Sequence, residues 1–90
     1  MRVSVGQVFT IALSENPTTG YRWDAKFDGQ FLKLEETRFE ADIPESIGSG
    51  GTEIFKFIAI KPGKTEILVH YRRPWEKRII EEKMFSIIIT

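Results

Sequence analysis

The stretch Tyr21-Arg22-Trp23-Asp24-Ala25-Lys26-Phe27 alternates apolar and charged side chains without a slip. A period of two sends successive side chains to opposite faces of an extended chain, so this stretch reads as a half-buried β-strand. The same period recurs on both sides of it. Phe9, Ile11 and Leu13 are in phase between Val8 and Leu13, and Phe55, Phe57 and Ala59 between Thr52 and Ile60. Thr65, Ile67, Val69 and Tyr71 oppose Glu66, His70 and Arg72, while Phe85, Ile87 and Ile89 share a phase in the β-branched run from Met84 to Thr90. Phe31 to Phe39 carries a weaker signal, through Leu32 and Leu34, and Met1 to Val5 reads as a short edge strand before Gly6. No segment shows an apolar stripe of helical spacing. In the charged run Lys77 to Lys83 the two isoleucines, Ile79 and Ile80, are adjacent, and the run reads as the lead-in to the last strand. Six to seven short strands separated by turn signals predict an all-β, antiparallel sandwich or small barrel.

The chain has 90 residues, room for one domain spanning 1–90 and one core. A hydrophobic content of 41%, with 7 Phe, 2 Trp and 2 Tyr, suits a globular fold rather than a disordered segment. The 13 basic and 13 acidic residues cancel, which removes the electrostatic reason to expect nucleic acid or an anionic membrane as partner. No apolar run approaches the about 18 residues of a membrane-spanning helix. Cysteine is absent, so disulfides, thiolate metal sites and a Cys nucleophile are excluded together. No cofactor is expected. The compartment stays open: Met1-Arg2-Val3-Ser4-Val5 is too short for a signal peptide, which fits an intracellular protein or one whose targeting segment has been removed.

The connections are more informative than the strands. From Val8 onward they are Asn16–Gly20, Asp28-Gly29, Pro44–Gly51, Pro62-Gly63 and Arg73–Trp75. If successive strands run antiparallel, the first, third and fifth lie at one end and the other two at the opposite end. The even connections are minimal glycine turns. The odd ones are longer and chemically unusual, which predicts one working end and one plain end.

In the first, Asn16-Pro17-Thr18-Thr19-Gly20-Tyr21, Pro17 fixes its own φ and biases Asn16 toward an extended conformation, and Gly20 permits positive φ before the strand resumes. On its own the string also fits an ordinary turn. The second, Gly48-Ser49-Gly50-Gly51, exposes backbone with almost no side chain in the way, which suits close approach by a partner or a flexible hairpin tip. It lacks the Lys-Ser/Thr of a phosphate loop. The third, Arg73-Pro74-Trp75, offers residue types that often carry interface energy, unless Trp75 folds back as a lid on the core.

NPTTGY with Trp23 two residues later, then GSGG, then RPW after a strand ending in tyrosine, occur here in that order. Together they resemble the signature of the chagasin family of cysteine peptidase inhibitors, over roughly Val5 to Thr90. The resemblance, not the composition, supplies a target class. It implies an immunoglobulin-like β-sandwich whose three loops form a wedge entering the cleft of a papain-like cysteine protease, reversibly and without covalent chemistry. Asn16 to Tyr21 would occupy the centre of the cleft. Gly48 to Gly51 would lie along one side, using mostly backbone. Arg73, Pro74 and Trp75 would cover the other side, with Trp75 packing on aromatic protease surface. The expected state is a monomer.

An enzyme is not expected. His70 is the only histidine and falls on the polar face of its strand, where it reads as solvated, and no base and orienter stand at a suggestive spacing. A binding module for carbohydrate or cell adhesion, stacking ligands on Trp75 and Tyr21, remains an alternative. Nucleic-acid binding through Arg72, Arg73, Lys77 and Arg78 is diluted by Glu76, Glu81 and Glu82.

Overall fold

A computed structural model of the chain, describing residues 1–43 and 48–90, consists of two β-sheets enclosing one core. Seven strands occur in the described residues: β1 (Arg2–Val3), β2 (Val8–Glu15), β3 (Arg22–Phe27), β4 (Leu32–Ala41), β5 (Gly51–Ala59), β6 (Gly63–Arg72) and β7 (Glu81–Ile89). One sheet has the order β1-β7-β6-β3 and the other β2-β5-β4. The chain crosses between sheets after β1, β2, β3 and β5, and forms hairpins at β4–β5 and β6–β7. All pairings are antiparallel except one. The edge strand β1 pairs parallel with β7, Val3 opposite Ile89, which joins the two ends of the chain.

Period-two burial follows the sequence. Strand β2 reads exposed–buried through all 8 residues, and β5 buries every odd position from Gly51 to Ala59. Phe57 is fully buried, stacked on Phe9 with centroids 5.7 Å apart and met edge-on by Phe27 at 5.1 Å. Leu32, Ile67, Val69 and Ile87 complete the driest layer. Such aromatic pairs add about 0.5–1.5 kcal/mol beyond the area they bury.

Strand β4 explains its weaker signal. Leu32 and Leu34 pair with Ala59 and Phe57, but the register then shifts, so that Thr37 and Phe39 rather than Glu36 and Arg38 stand opposite the inward residues Phe55 and Glu53. A β-bulge inserts one residue and exchanges the faces, so the sequence alternates in one phase before Glu35 and in the other after it.

The reading of His70 as solvated is incorrect. Its side chain is buried, 6% exposed, with Nε2 3.1 Å from Oε2 of Glu82. The cause is its strand's position: β6 lies between β3 and β7, and Asp24 and Glu82 flank His70 in register on its two neighbours. A central strand of a sheet is covered by long side chains from both sides even on its outer face.

Removing the central ring tests this packing. Phe57→Ala should cost about 3–5 kcal/mol, most of the stability of a domain this small, whereas Phe57→Leu, which keeps most of the volume, should cost distinctly less. Urea unfolding followed by tryptophan fluorescence measures both. A loss under about 1 kcal/mol for the alanine variant would mean that Phe57 is not the centre of the core.

Candidate functional site

The first connection is a single 3-10 turn, Pro17–Thr19, and each of its letters has a task. Asn16 is extended, φ −126° and ψ 97°, as a residue before proline should be, and its Oδ1 accepts from the Thr18 backbone N–H at 3.2 Å and the Thr18 hydroxyl at 2.6 Å. The Thr19 hydroxyl donates to the Asn16 carbonyl at 2.7 Å and accepts from the Tyr21 N–H at 3.3 Å. Gly20 ends the turn in the left-handed region, φ 82°, with its N–H on the Pro17 carbonyl. The turn is closed on itself.

The third connection leans on the first. Arg73 donates from Nε to the Thr19 carbonyl at 3.2 Å and from Nη1 to Glu76 at 3.2 Å, and its guanidinium lies 4.4 Å from the Tyr21 ring centroid. Arg72, the residue before it, is held by Asp24 Oδ2 at 2.9 Å and by the Glu76 carbonyl at 3.3 Å. Trp75 is 72% exposed, so it is no lid on the core. Its six-membered ring edge sits over Gly20 so closely that a Cβ there would stand 2.7 Å from Cη2. Gly20 therefore serves both the positive φ and the seat of the indole.

The second connection lies against the other flank of the first. Gly50 sits beside the Glu15 carbonyl, and its own carbonyl accepts from the Asp42 N–H at 3.0 Å. A shallow recess is lined by Asn16, Asp42, Gly50, Gly51 and Tyr71. Gly51 begins β5 where a side chain would run into the Glu40 carbonyl and the Phe39 ring. Gly48 has φ 88° and is exposed, and Ser49 donates its hydroxyl to the Ile43 carbonyl at 3.2 Å. Residues 44–47 of the expected connection lie outside the described residues.

All three segments thus meet at one end, as the parity of the connections predicts. Arg73 and Tyr21 are brought there but are spent on internal contacts: Tyr21 lies 5.5 Å from the ring of Tyr71 and under the Arg73 guanidinium. Beneath them is a floor that the motifs do not announce. The Glu15 carboxylate, 4% exposed, accepts from the Trp23 N–H at 2.9 Å, and the Trp23 indole donates to the Ser14 carbonyl at 2.7 Å. The Tyr71 hydroxyl accepts from the Asn16 N–H at 3.3 Å. Glu53, 5% exposed, lies beside Glu15, and burial, then the charge of Glu15, push its carboxyl above the ordinary value, against a smaller opposing pull from Arg22. The sequence does carry a signal for this pair: Glu15 is in phase with Phe9, Ile11 and Leu13, and Glu53 with Phe55 and Phe57.

Known proteins share both sequence and fold with this chain. Amoebiasin-2 of Entamoeba histolytica is 32% identical over 80 residues, which cover 86% of this chain and 64% of that protein, so the chain spans a little under two thirds of that relative. Chagasin of Trypanosoma cruzi is 29% identical over 97 aligned positions, covering 99% of this chain and 86% of chagasin. The crystal structure of the cysteine protease inhibitor EhICP2 from Entamoeba histolytica superposes with a TM-score of 0.86 at 25% identity, over 99% of this chain and 86% of that one. The two sheets of this chain match the chagasin-type β-sandwich. Residues 2–89 match the family described as Chagasin family peptidase inhibitor I42, and a match from one end of the sandwich to the other, on a fold of this likeness, means that the chain belongs to the chagasin family of peptidase inhibitors.

Proposed function

We infer that this chain is a reversible, non-covalent inhibitor of papain-like cysteine proteases, a single monomeric module of residues 1–90 that occludes the active-site cleft with its three-loop end. The observation that carries this is the convergence of Asn16–Tyr21, Gly48–Gly51 and Arg73–Trp75 at one end, the third tied to the first by the Arg73–Thr19 hydrogen bond and the second packed beside the Glu15 carbonyl, which leaves little freedom to lose. Rigid loops sacrifice less entropy on docking, so more of the contact energy survives as affinity. With its hydroxyls and amide turned inward, the first loop presents a compact, closed turn, which fills a cleft without offering an extended peptide in attack geometry. Trp75 is the exposed aromatic anchor beside it.

The same geometry argues against the rival partners. A sugar-binding face would use Tyr21 and Trp75 together, but the Tyr21 ring is already engaged by Arg73 and Tyr71. Nucleic acid would need free guanidinium groups, whereas Arg72 and Arg73 are paired with Asp24 and Glu76.

Titration against active-site-titrated papain with a fluorogenic peptide substrate tests the proposal. Stoichiometric, reversible loss of activity is expected, and full activity at micromolar excess across several papain-like enzymes would refute it. Trp75→Ala should weaken inhibition by at least about 2 kcal/mol, roughly 30-fold, with little change in stability. A loss under about 0.5 kcal/mol would put Trp75 outside the centre of the interface.

Gly20→Ala probes how the anchor is seated. The left-handed backbone costs an alanine about 1–2 kcal/mol of stability, and its Cβ must also displace the indole. Inhibition should fall about tenfold or more, and the double variant with Trp75→Ala should bind no worse than Trp75→Ala alone. Additive losses in that cycle would show that Gly20 acts independently of the indole.

A further inference from the structure

The loop end buries two carboxyl groups against each other, which a carboxylate pair does not tolerate at neutral charge balance without compensation. Glu15 and Glu53 occupy diagonal positions on the inner face of adjacent strands, since Leu13 stands opposite Glu53 and Glu15 opposite Gly51. Diagonal neighbours on one face of a sheet stand about 7–8 Å apart, within reach of two long side chains. One oxygen of Glu15 is used by the Trp23 N–H. The remaining Oε2 of Glu15 and the Oε2 of Glu53 are both buried and have no donor among the described residues. Each strand would gain by burying an apolar residue instead; an unpaired buried carboxylate is among the costliest groups a small domain can carry.

We propose that Glu15 and Glu53 share one proton, and that this proton fastens the first loop to the second, so that the loop end is assembled more firmly in mildly acidic than in neutral solution. The protonated carboxyl of one donates to the free oxygen of the other, which satisfies both orphaned atoms with a single O–H···O⁻ bond. Its place is what gives it consequence. Glu15 precedes Asn16 directly and Glu53 lies two residues beyond Gly51, so the bond ties the foot of the first loop to the foot of the second. Through Trp23 it also reaches the strand by which the first loop leaves. The extension from stability to inhibition rests on the three-loop function inferred above; the shared proton itself does not.

The surroundings favour retention of that proton. Burial and the neighbouring carboxylate both hold the Glu53 acid form, and Arg22 on β3 opposes them. The connection between β4 and β5 contributes Asp42 to the recess that Glu15 lines, a further negative group, beside the Tyr71 phenol of β6. The recess that Glu53 lines holds Asp24 of β3 and Arg72 of β6 as well as Arg22, and the Arg72 guanidinium is held by the Asp24 carboxylate at 2.9 Å. Strand β4 presents Thr37 and Phe39 on this side, neither charged. On β7 Glu81 and Lys83 share the phase of Phe85 but are exposed, 3.9 Å from each other. A folded-state value raised above the ordinary 4.5 means that the native state holds the proton where the unfolded chain has released it. Stability from this source is therefore full below about that value and is lost as pH rises through the folded-state value.

Glu53→Gln replaces the proton-bearing carboxyl by an amide that donates to Glu15 at every pH. Thermal unfolding of the wild type and this variant, recorded from pH 4.5 to 8, should coincide at the acid end and separate by several degrees at the neutral end, the variant being the more stable. In parallel, the side-chain carboxyl carbon of Glu53 in the labelled wild type, followed by NMR, should titrate above its ordinary value. Affinity for papain should likewise be equal for the two proteins near pH 5 and favour the variant near pH 7.5, a ratio from which the enzyme's own titration cancels. Parallel unfolding curves, or a Glu53 carboxyl carbon that titrates at its ordinary value, would overturn the proposal. A protein that failed to inhibit papain at any pH would remove the three-loop function while leaving the unfolding and NMR curves to decide on the proton, and the NMR titration stands even if the variant does not fold.

Discussion

Backbone ladders join strands within a sheet and do nothing to align one sheet with the other, so the loop end of this sandwich depends on side chains that cross the gap. Glu15, at the end of β2 in the three-stranded sheet, receives the backbone N–H of Trp23 on β3 in the four-stranded sheet at 2.9 Å. The indole of Trp23 returns the connection to the Ser14 carbonyl at 2.7 Å, and Tyr71 on β6 receives the Asn16 N–H. A hydrogen bond to a buried charged group contributes about 1.5–3 kcal/mol, more than an ordinary one. Both feet of the first loop are thereby fixed to both sheets. The second loop then packs on the Glu15 carbonyl and the third on Gly20, so neither would have a defined place without that first attachment.

The consequence is a division of labour between polar and apolar groups at the loops. Asn16, Thr18, Thr19 and Arg73 look like contact residues in the sequence, but their polar atoms make bonds within the loops. What is left facing outward is backbone, Pro17, Pro74 and the indole of Trp75. A surface of this kind gains little from specific hydrogen bonding by its side chains and much from shape and rigidity, because groups already ordered lose nothing further on docking. The polar letters of the motif are thus explained by the shape they hold.

The strands with an unbroken period of two, β2, β3, β5, β6 and β7, are legible in the sequence, and so are the convergence of the odd connections and the inward phase of their flanking residues. Strand β4 is legible only up to Glu35, because a bulge reverses the faces and an alternation pattern read across it averages to noise. The parallel pairing of β1 with β7 is not legible, since 2 residues carry no period and their partner is 85 or more positions away. His70 misleads for a different reason: alternation assigns a face, but whether that face is wet depends on the strand's neighbours. Glu15 and Glu53 show the opposite error. Their inward phase was available, but charge is normally taken as a sign of exposure, and only packing shows that these two charges stay inside.

An exposed tryptophan and a buried pair of acids are both departures from what stability alone would select, and they occur at the same end of the molecule. The opposite end and the middle have neither. There, Phe57, Leu32, Ile67, Val69 and Ile87 are fully buried, and β1 and β7 hold the chain ends together. A 90-residue domain has little stability in reserve, so such departures are tolerable only where the remaining core is well packed and the departures are confined. Confinement to one end also keeps their effects local. Replacing Trp75 removes area from the outer surface and leaves the core untouched, whereas altering the acids changes how the loops are held relative to one another. Sites at which a sequence departs from the most stable choice tend to be those selected for something else. In this fold the departures coincide with the three segments that carry the family's motifs.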